Sequence, residues 1–381
     1  MPPRFRLGVV AAEPSGDRLG GGLVSALLER EPSLELRGIG GPELGALGLE
    51  SVCDIHDLSI MGVEDLFRKL PNALKVRKGL IRDFRRNPPD LFLGIDSPDF
   101  NLNLERRLRK SGIPVVHLVS PTVWALRSYR VKKIAKAVDR ILVLFPFEED
   151  FYRRHGIRAT FVGHPAARET AGLSKIACRK LLNLDLDGKI LSVLPGSRES
   201  EIRHLSAPFV ASIRALAETD PNLSFLIPFA SDRIKEQFLG LVSLEGLTTR
   251  VQLVNGNARE CLSASDAALL ASGTAALEAA LVGCPMVVAY RVSGLSYRIA
   301  TALASTRTVS MPNHLMPTPL VPEFLQQDAT KENLVPAVQR LLAEGLDTKR
   351  MRDALVAIQR TLNLDTNNRI VDAILDTAQR S

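Results

Sequence analysis

A turn of small residues, Ser272-Gly273-Thr274, separates an apolar run from a segment with helical character. No bulky side chain occupies this turn, so a ligand can approach its backbone closely. If a helix begins near Ala275, its first N–H groups and the positive end of its dipole face that ligand, and this arrangement binds phosphate. Glu278 follows about one turn later, where its carboxylate can reach ribose hydroxyls beside a diphosphate. The alternative is an ordinary strand–helix crossover with a solvated Glu278.

Two carboxylates follow a second apolar run, in residues 94–101, GIDSPDFN. The run predicts a buried strand that delivers Asp96 to its carboxyl end, and Pro98 stops the strand from continuing. A carboxylate in that position can accept the proton of an attacking hydroxyl group, with Asp99 and Asn101 close by. Two carboxylates without a histidine or a third acid are weak evidence for a metal site. Capping of the turn is the structural alternative.

Two more polar turns follow the first apolar run of each half of the chain. Residues 13–17, EPSGD, lack the G-x-G-x-x-G pattern of a dinucleotide site. They offer Ser15 and Asp17 as ligand contacts, or as the N-cap of a helix. In the second half, a compact turn precedes Arg198, whose guanidinium group has the geometry to bind a diphosphate. The alternative is a surface ion pair between Arg198 and Glu201.

These turns must be positioned by the apolar runs that alternate with helical patterns along the 381 residues. Continuous Val, Ile and Leu runs separated by helices predict parallel sheets buried on both faces. Two series of five or six strands predict an α/β protein with two doubly wound Rossmann-like domains, 1–165 and 166–354, which face a cleft at the carboxyl ends of their strands. A last helix, about 355–381, is expected to pack back on the first domain.

The predicted strands of the first half are Leu7–Ala12, Leu34–Ile39, Leu91–Ile95, Val115–Val119, Arg140–Leu144 and Thr160–Val162. Those of the second half are Ile190–Leu194, Leu223–Pro228, Val251–Val254, Ala267–Leu270 and Met286–Tyr290. Residues 311–314 and 321–326 are predicted to form a proline-rich loop late in the second domain.

Composition narrows the class of protein. A hydrophobic content of 45% with 24% charged residues is typical of a soluble globular chain, and no apolar run reaches the roughly 18 residues of a membrane span. The start of the sequence has no signal-peptide pattern. The four cysteines form no C-x-x-C pair, which fits a reducing cytosol and indicates neither a zinc site nor a disulfide framework. Walker A and G-x-S-x-G motifs are also lacking.

Most of the net charge of +7 lies in the first half, where basic and apolar residues interleave between Leu66 and Arg86. Such a segment can lie on an anionic membrane surface, or it can be a solvated helix with one face in the core. Nucleic acid is the least favoured partner, because few aromatic residues interleave with the basic ones and no nucleic-acid motif is present. The basic residues form two groups: Arg68, Lys69, Lys75, Arg77, Lys78, Arg82, Arg85 and Arg86, then Arg127, Arg130, Lys132, Lys133, Lys136 and Arg140.

Taken together, the motifs resemble those of the lipid-A-disaccharide synthase family, bacterial glycosyltransferases of the two-Rossmann GT-B architecture. The resemblance spans essentially the whole chain. The chain departs from the usual pattern of the family at Pro14, at Leu126 and in the proline-rich residues 316–320. The motifs that carry the resemblance are residues 13–17, 94–101, 119–124, 194–198, 271–278 and 311–313.

The resemblance implies an inverting transfer of 2,3-diacylglucosamine from UDP-2,3-diacylglucosamine to the 6-hydroxyl of 2,3-diacylglucosamine 1-phosphate, without a metal or cofactor. It implies that Asp96 is the general base and that Glu278 holds the donor ribose. Fixed dipoles and one arginine would meet the charge on the leaving UDP. The implied diphosphate and donor contacts are Arg198, Ser272, Gly273, Thr274, Ala275 and Asn313, and the further substrate contacts are Ser15, Asp17, Asp99 and Asn101.

Because both implied substrates are lipids, the resemblance also implies a cytoplasmic protein bound peripherally to anionic lipids of the inner membrane. No nucleic-acid partner is expected, and the oligomeric state stays open. The rival interpretations are another GT-B enzyme that uses a UDP-sugar, such as a peptidoglycan lipid transferase or a UDP-sugar epimerase, and a non-catalytic protein that binds sugar nucleotides. A carboxylate that faces a phosphate site argues against the last, because binding alone does not require it.

Overall fold

The computed structural model describes residues 4–55, 63–125, 128–294, 297 and 308–380, with the backbone alone for 63–70 and 128. The chain divides into two compact units. The first unit runs as far as Pro165 and resumes at Leu364, and the second comprises Ala166–Asn363. Each unit is built around its own parallel sheet.

The sheet of the first unit contains β1 (Arg6–Ala11), β2 (Glu35–Ile39), β3 (Glu50–Ser51), β4 (Leu91–Ile95), β5 (Val115–Leu118), β6 (Arg140–Val143) and β7 (Ala159–Phe161). Their order is β3-β2-β1-β4-β5-β6-β7. Every residue of β4 is buried, because helices cover both faces of the sheet. The strand order reverses between β1 and β4, and ligands of such sheets bind at the carboxyl ends of the strands beside that reversal.

The sheet of the second unit contains β8 (Ile190–Leu194), β9 (Ser224–Phe229), β10 (Val251–Asn255), β11 (Ala267–Ala271), β12 (Met286–Tyr290) and β13 (Glu323–Leu325). Their order is β10-β9-β8-β11-β12-β13. The reversal falls between β8 and β11, and both of these strands are fully buried. The turns after β8 and β11 therefore occupy the corresponding place in this unit.

The helices of the first half are α1 (Pro14–Arg30), α2 (Pro42–Ala46), α3 (Val63–Arg86), α4 (Pro98–Arg109), α5 (Val131–Ala135), α6 (Pro146–Arg154) and α7 (Pro165–Thr170). They are followed by α8 (Lys175–Leu181), α9 (Glu199–Thr219), α10 (Asp232–Leu241), α11 (Ala258–Ala264), α12 (Thr274–Leu281) and α13 (Met311–Leu315). The last three are α14 (Lys331–Leu342), α15 (Leu346–Leu362) and α16 (Thr366–Gln379).

The last helix, α16, belongs to the first unit. Ile370 and Ile374 are fully buried and share a core cluster with Leu27 of α1. The Arg140 guanidinium group at the start of β6 donates a hydrogen bond of 2.7 Å to Asp376 of α16. Apolar packing and ion pairs thus hold α16 on this unit, to which the chain returns after it has formed the second.

Helix α3 has an apolar face and a basic face. Leu80, Ile81 and Phe84 are buried in the core of the first unit, whereas Lys78 and Arg82 are exposed. Between residues 71 and 86, α3 is therefore a solvated basic helix with one face in the core. Within the described ranges, the helices that are long enough to cross a bilayer are too polar to do so. The predicted positions whose side chains lie outside the described residues are Leu66, Phe67, Arg68, Lys69, Leu70 and Arg127.

The predicted fold class is confirmed, and each predicted strand is present with ends that agree within one residue. The prediction of a single proline-rich loop over 311–314 and 321–326 is wrong. Residues 311–315 form α13, because Pro312 lies in the first turn, where a missing N–H removes no helical hydrogen bond. Pro322 precedes β13, a short strand at the edge of the sheet.

Candidate active site

The turn after β4 has a strained backbone. Asp96 and Ser97 adopt left-handed conformations, with φ angles of 51° and 43°, and each such residue costs on the order of 1–3 kcal/mol. The Asp96 N–H donates to the Leu118 carbonyl at 2.8 Å, and the Asn101 amide donates to the Asp96 carbonyl at 2.8 Å. The Ser97 hydroxyl donates to a Glu13 carboxylate oxygen at 3.1 Å. The surroundings therefore enforce a conformation that would otherwise relax, which is a frequent property of functional sites.

Two acidic residues, Asp96 and Glu13, lie at or beside this turn. The Asp96 and Glu13 side chains are both partly exposed, and they follow the neighbouring strands β4 and β1. Glu13 was not among the residues predicted from the sequence, although its place directly after the first strand is a usable signal. Asp99 lies on the first turn of α4 with its side chain 88% exposed, 3.4 Å from the Arg130 guanidinium group. Asp99 thus points into solvent.

A buried polar cluster lies beneath the turn. Asn101, Glu105 and His117 are each 0% exposed, and His117 Nδ1 lies 2.6 Å from Glu105 Oε1. A Cβ atom at Gly94 would lie 2.0 Å from Glu105 Oε1, so only glycine leaves room for that carboxylate. Asn101 therefore holds the Asp96 backbone from below, with no exposed surface for a substrate.

The pKa of His117 is raised above its usual value. Burial alone would lower this pKa. The adjacent Glu105 carboxylate outweighs burial, helped by the charge of Asp96. A raised pKa favours the protonated imidazole ring, which pairs with the Glu105 carboxylate inside the core.

The two residues predicted as ligand contacts after β1 have different surroundings. Ser15 is exposed, whereas Asp17 is 2% exposed, and its carboxylate accepts hydrogen bonds from the Gly41 and Glu43 N–H groups at 2.7 and 2.9 Å. Asp17 thus satisfies the free N–H groups at the start of α2. The alternative that Ser15 or Asp17 caps α1 is wrong, because the N-cap is Glu13 and it makes no side-chain capping bond.

Trp124 packs in an aromatic cluster after β5 and β6. Its ring meets Phe147 edge-on, with centroids 4.7 Å apart, and Phe147 stacks on Phe145. The indole N–H donates to Glu148 Oε1 at 3.0 Å, and the Phe145 N–H donates to Glu148 Oε2 at 3.2 Å. Burial nevertheless raises the pKa of Glu148 from 4.5 to about 7.

We expect Glu148 to make the first unit less stable as pH rises from about 4.5 to about 7. The unfolded carboxyl group ionises near 4.5 and the folded one near 7, so in this range the unfolded state loses the proton first and gains stability. At about 1.4 kcal/mol per pH unit, the free energy of unfolding falls by roughly 3 kcal/mol. Urea titrations at pH 5 and 7.5 measure it, and Glu148→Gln should lack this part of the slope. Equal slopes in both proteins would refute the assignment.

In the second unit, α12 begins at an open turn. Gly273 is the N-cap residue, no side chain caps the helix, and both Gly273 and Thr274 are exposed. A Cβ atom at Gly273 would have no described atom within 4 Å. The first N–H groups of α12 therefore face accessible space, as an anion site requires. Ser272 is fixed by its hydroxyl, which donates to the Val309 carbonyl at 3.0 Å.

Glu278 is paired with Arg259, which was not among the residues predicted from the sequence. Arg259 Nε donates to Glu278 Oε1 at 3.1 Å, and Arg259 Nη1 also donates to Glu169. Burial alone would lower the pKa of Arg259, but the two carboxylates raise it. Arg259 lies at the start of α11 with no motif around it. Arg259 pairs with Glu278 of a different helix, so no pattern in the sequence around Arg259 indicates that it orients Glu278.

Arg198 is the N-cap residue of α9, and its side chain is 81% exposed. Its guanidinium group lies 3.6 Å from Glu201 Oε1, so the predicted surface pair exists as a loose contact. Glu201 Oε2 accepts from the Ser197 N–H at 2.9 Å, and Gly196 has a φ of 127°. Glu201 thus fastens the turn after β8, while the guanidinium group extends into solvent.

Asn313 is 5% exposed and is fully engaged by its own unit. Its amide group donates to the Val321 carbonyl at 2.9 Å and to Glu323 at 2.7 Å. Its carbonyl oxygen accepts from the Leu320 and Val321 N–H groups at 3.1 and 3.0 Å. These four bonds use the capacity of an asparagine side chain, so Asn313 ties α13 to the segment before β13.

Comparison with known proteins identifies the family. The family model for lipid-A-disaccharide synthetase matches residues 7–374. The lipid-A-disaccharide synthase of Pseudomonas paraeruginosa is 43% identical over 382 residues, which cover 100% of both chains. That of Vibrio vulnificus (strain YJ016) is 42% identical over 377 residues, which cover 99% of each chain.

Solved structures with the same fold are much less similar in sequence. A putative UDP-N-acetylglucosamine 2-epimerase from Listeria monocytogenes has a TM-score of 0.63 at 16% identity, and the match covers 99% of this chain and 97% of the other. A glycosyltransferase from Rickettsia africae has a TM-score of 0.59 at 13% identity, with 100% and 99% covered. These neighbours establish the GT-B type of α/β fold. The family model and the curated relatives go further: the chain belongs to the lipid-A-disaccharide synthase family and is a glycosyltransferase of lipid A synthesis.

Proposed function

We propose that the protein transfers 2,3-diacylglucosamine from UDP-2,3-diacylglucosamine to the 6-hydroxyl of 2,3-diacylglucosamine 1-phosphate. The observation that carries this proposal is the strained turn after β4. It presents Asp96 beside the reversal of strand order in the first unit, where ligands of such sheets bind.

In the proposed step, the 6-hydroxyl oxygen of the acceptor attacks the anomeric carbon of the donor sugar. The bond between that carbon and the diphosphate oxygen breaks, UDP leaves with the electron pair, and the configuration inverts. Asp96 accepts the hydroxyl proton as general base. Glu13, which receives the Ser97 hydrogen bond, completes the acidic surroundings of the acceptor hydroxyl.

The leaving UDP gains negative charge as the bond breaks. The proposal assigns this charge to the first N–H groups of α12, at Gly273, Thr274 and Ala275, and to the guanidinium group of Arg198. Glu278, oriented by Arg259, holds the ribose hydroxyls. The open turn at Gly273 and the exposure of Arg198 support these roles. Fixed dipoles and one arginine need no metal for this purpose.

The proposal is tested by release of UDP from UDP-2,3-diacylglucosamine in detergent and EDTA, with and without 2,3-diacylglucosamine 1-phosphate. We expect release that depends on the acceptor and persists in EDTA. Release without acceptor would indicate an epimerase or hydrolase activity. If UDP binds but no release occurs with this acceptor, the proposed substrates are wrong.

The donor site gives a binding prediction. Glu278→Ala and Arg198→Ala should each weaken UDP affinity about tenfold, because each removes a hydrogen bond to or from a charged group, worth about 1.5–3 kcal/mol. Titration calorimetry with UDP measures the change. Arg203→Ala is the matched control, since it removes an exposed arginine one turn further along α9. Affinities equal to that of the control would remove both residues from the donor site.

We also propose that the basic face of α3 attracts the protein to anionic lipids of the inner membrane on the cytoplasmic side. Each Lys or Arg near such a surface contributes about 1 kcal/mol. Neutralising Arg77, Lys78, Arg82 and Arg85 should therefore lower cosedimentation with anionic liposomes at least tenfold. The control variant neutralises three exposed residues of α15, Lys349, Arg350 and Arg360. Equal sedimentation of both variants would leave α3 as a solvated helix only.

A further inference from the structure

We propose that the buried Glu105–His117 pair is a positioning element for Asp96, which fixes the turn after β4. The inference rests on the proposed role of Asp96 as general base. It assigns a function in transfer to two residues that touch no substrate.

The connection to Asp96 runs through helix α4. Asn101 and Glu105 are four residues apart on this helix, so their side chains leave the same face. Asn101 donates to the Asp96 carbonyl at 2.8 Å and lies 3.3 Å from the Ile95 carbonyl. One turn later, Glu105 fastens the same face to His117 on β5 at 2.6 Å. The ion pair therefore sets how closely the start of α4 lies against the end of β4.

The strand beneath the pair is shaped to receive it. His117 lies opposite Gly94 in the register of β4 and β5, and the absent side chain of Gly94 leaves the space that Glu105 Oε1 fills. Because Gly94 lies two residues before Asp96, the Glu105 carboxylate packs against β4 just before the strained turn. A displacement of Glu105 would act on the turn through Asn101 within a single helical turn.

The chemistry of the pair goes beyond packing. Apolar residues of similar volume often stabilise a core as well as a buried ion pair does, so stability alone gives little reason for charges here. Glu105 Oε2 and His117 Nε2 are buried without a hydrogen-bond partner in the described part of the chain. Each buried group without a partner requires an explanation, and a role in catalysis is one.

The charged groups around His117 determine what a test must control. Glu105 on α4 and Asp96 at the end of β4 both act on the His117 charge. Glu13, which follows β1, accepts a hydrogen bond from Ser97 in the turn. Glu105→Gln keeps an acceptor for the His117 ring N–H but removes the negative charge. Glu105→Ala removes both, so the two variants separate position from charge.

The experiment measures kcat, the KM values for donor and acceptor, and the melting temperature. Glu105→Ala should lower kcat about tenfold or more, because small misplacements of reacting groups are costly, with both KM values within about twofold. Glu105→Gln should recover most of kcat, because its amide oxygen can still accept a hydrogen bond from the His117 ring and hold α4 in place.

Arg109→Gln is the matched control. Arg109 lies at the other end of α4 and binds Asp139 at 2.7 Å, so this variant loosens the same helix far from Asp96. The inference is overturned if kcat falls with melting temperature in the Glu105 variants as it does in the control, or if Glu105→Gln recovers no more of kcat than Glu105→Ala does. Asp96→Asn is measured in parallel. Wild-type turnover in that variant would refute the proposed base itself, whereas an inactive Asp96→Asn beside an unaffected Glu105→Ala would refute only the positioning role.

Discussion

Asp96→Asn should reduce turnover by about 10² to 10⁴-fold, the usual contribution of a positioned general base. Asparagine tolerates the left-handed backbone that position 96 adopts, and the hydrogen bonds of the turn use the backbone of Asp96 rather than its side chain. The substitution therefore removes the proton acceptor while it preserves the turn. UDP affinity should stay nearly unchanged, because the proposed diphosphate contacts lie in the second unit.

The matched control for this variant lies at the opposite end of the same strand. Asp90 precedes β4, and its carboxylate accepts from the Arg6 N–H at 2.8 Å. Asp90→Asn keeps an acceptor there and should retain turnover close to that of the wild type. Steady-state UDP release for both variants, together with UDP calorimetry, measures the difference. If Asp96→Asn turns over as fast as Asp90→Asn, then Asp96 does not accept the proton.

Gly94→Ala should have the largest effect on stability. The added methyl group would lie 2.0 Å from Glu105 Oε1, so Glu105 must move away and break its contact with His117. Loss of one partner from a buried ion pair costs about 3–5 kcal/mol. We therefore expect the free energy of unfolding in urea to fall by about 3 kcal/mol or more, with turnover reduced in the protein that still folds.

Two further variants isolate the cause. Gly79→Ala, in α3, adds the same methyl group where no described atom lies within 4 Å, and it should stabilise the helix by about 0.5–1 kcal/mol. In a Glu105→Ala background the steric conflict is gone, so Gly94→Ala should cost much less than it does alone. If the two substitutions at 94 and 105 were additive, their effects would be independent and the clash with Glu105 would not be the cause.

The fold could be predicted because parallel strands that are buried on both faces appear in the sequence as continuous apolar runs, as in residues 91–95. The two strands that were not predicted, because no such run marks them, are short. The two residues of β3 and the three of β13 lie at sheet edges, where few apolar positions are required. In α13, prolines typical of loops occupy a helix start.

Residues of the candidate site could be predicted only where a reactive side chain follows the end of a predicted strand. Asp96 and Glu278 follow buried strands within a few residues, so the local pattern selects them. Glu13 meets Ser97 across 84 residues of sequence, and Arg259 meets Glu278 between two helices, so those contacts depend on the tertiary fold. The same limit explains Asp17, whose carboxylate caps another helix. The sequence does not distinguish a polar residue near a strand end that contacts a ligand from one that binds the protein backbone.

The return of the chain to the first unit has a consequence for synthesis on the ribosome. The whole second unit is translated between β7 and α16, so the first unit waits for its last helix while the second can already fold. Until α16 emerges, the face of α1 that contains Leu23 and Leu27 lacks Ile370 and Ile374, its partners in the core. Domains generally complete folding in the order of synthesis. Here the first unit to be translated is the last to be finished, and its uncovered apolar face is the surface that a chaperone would meet on the nascent chain.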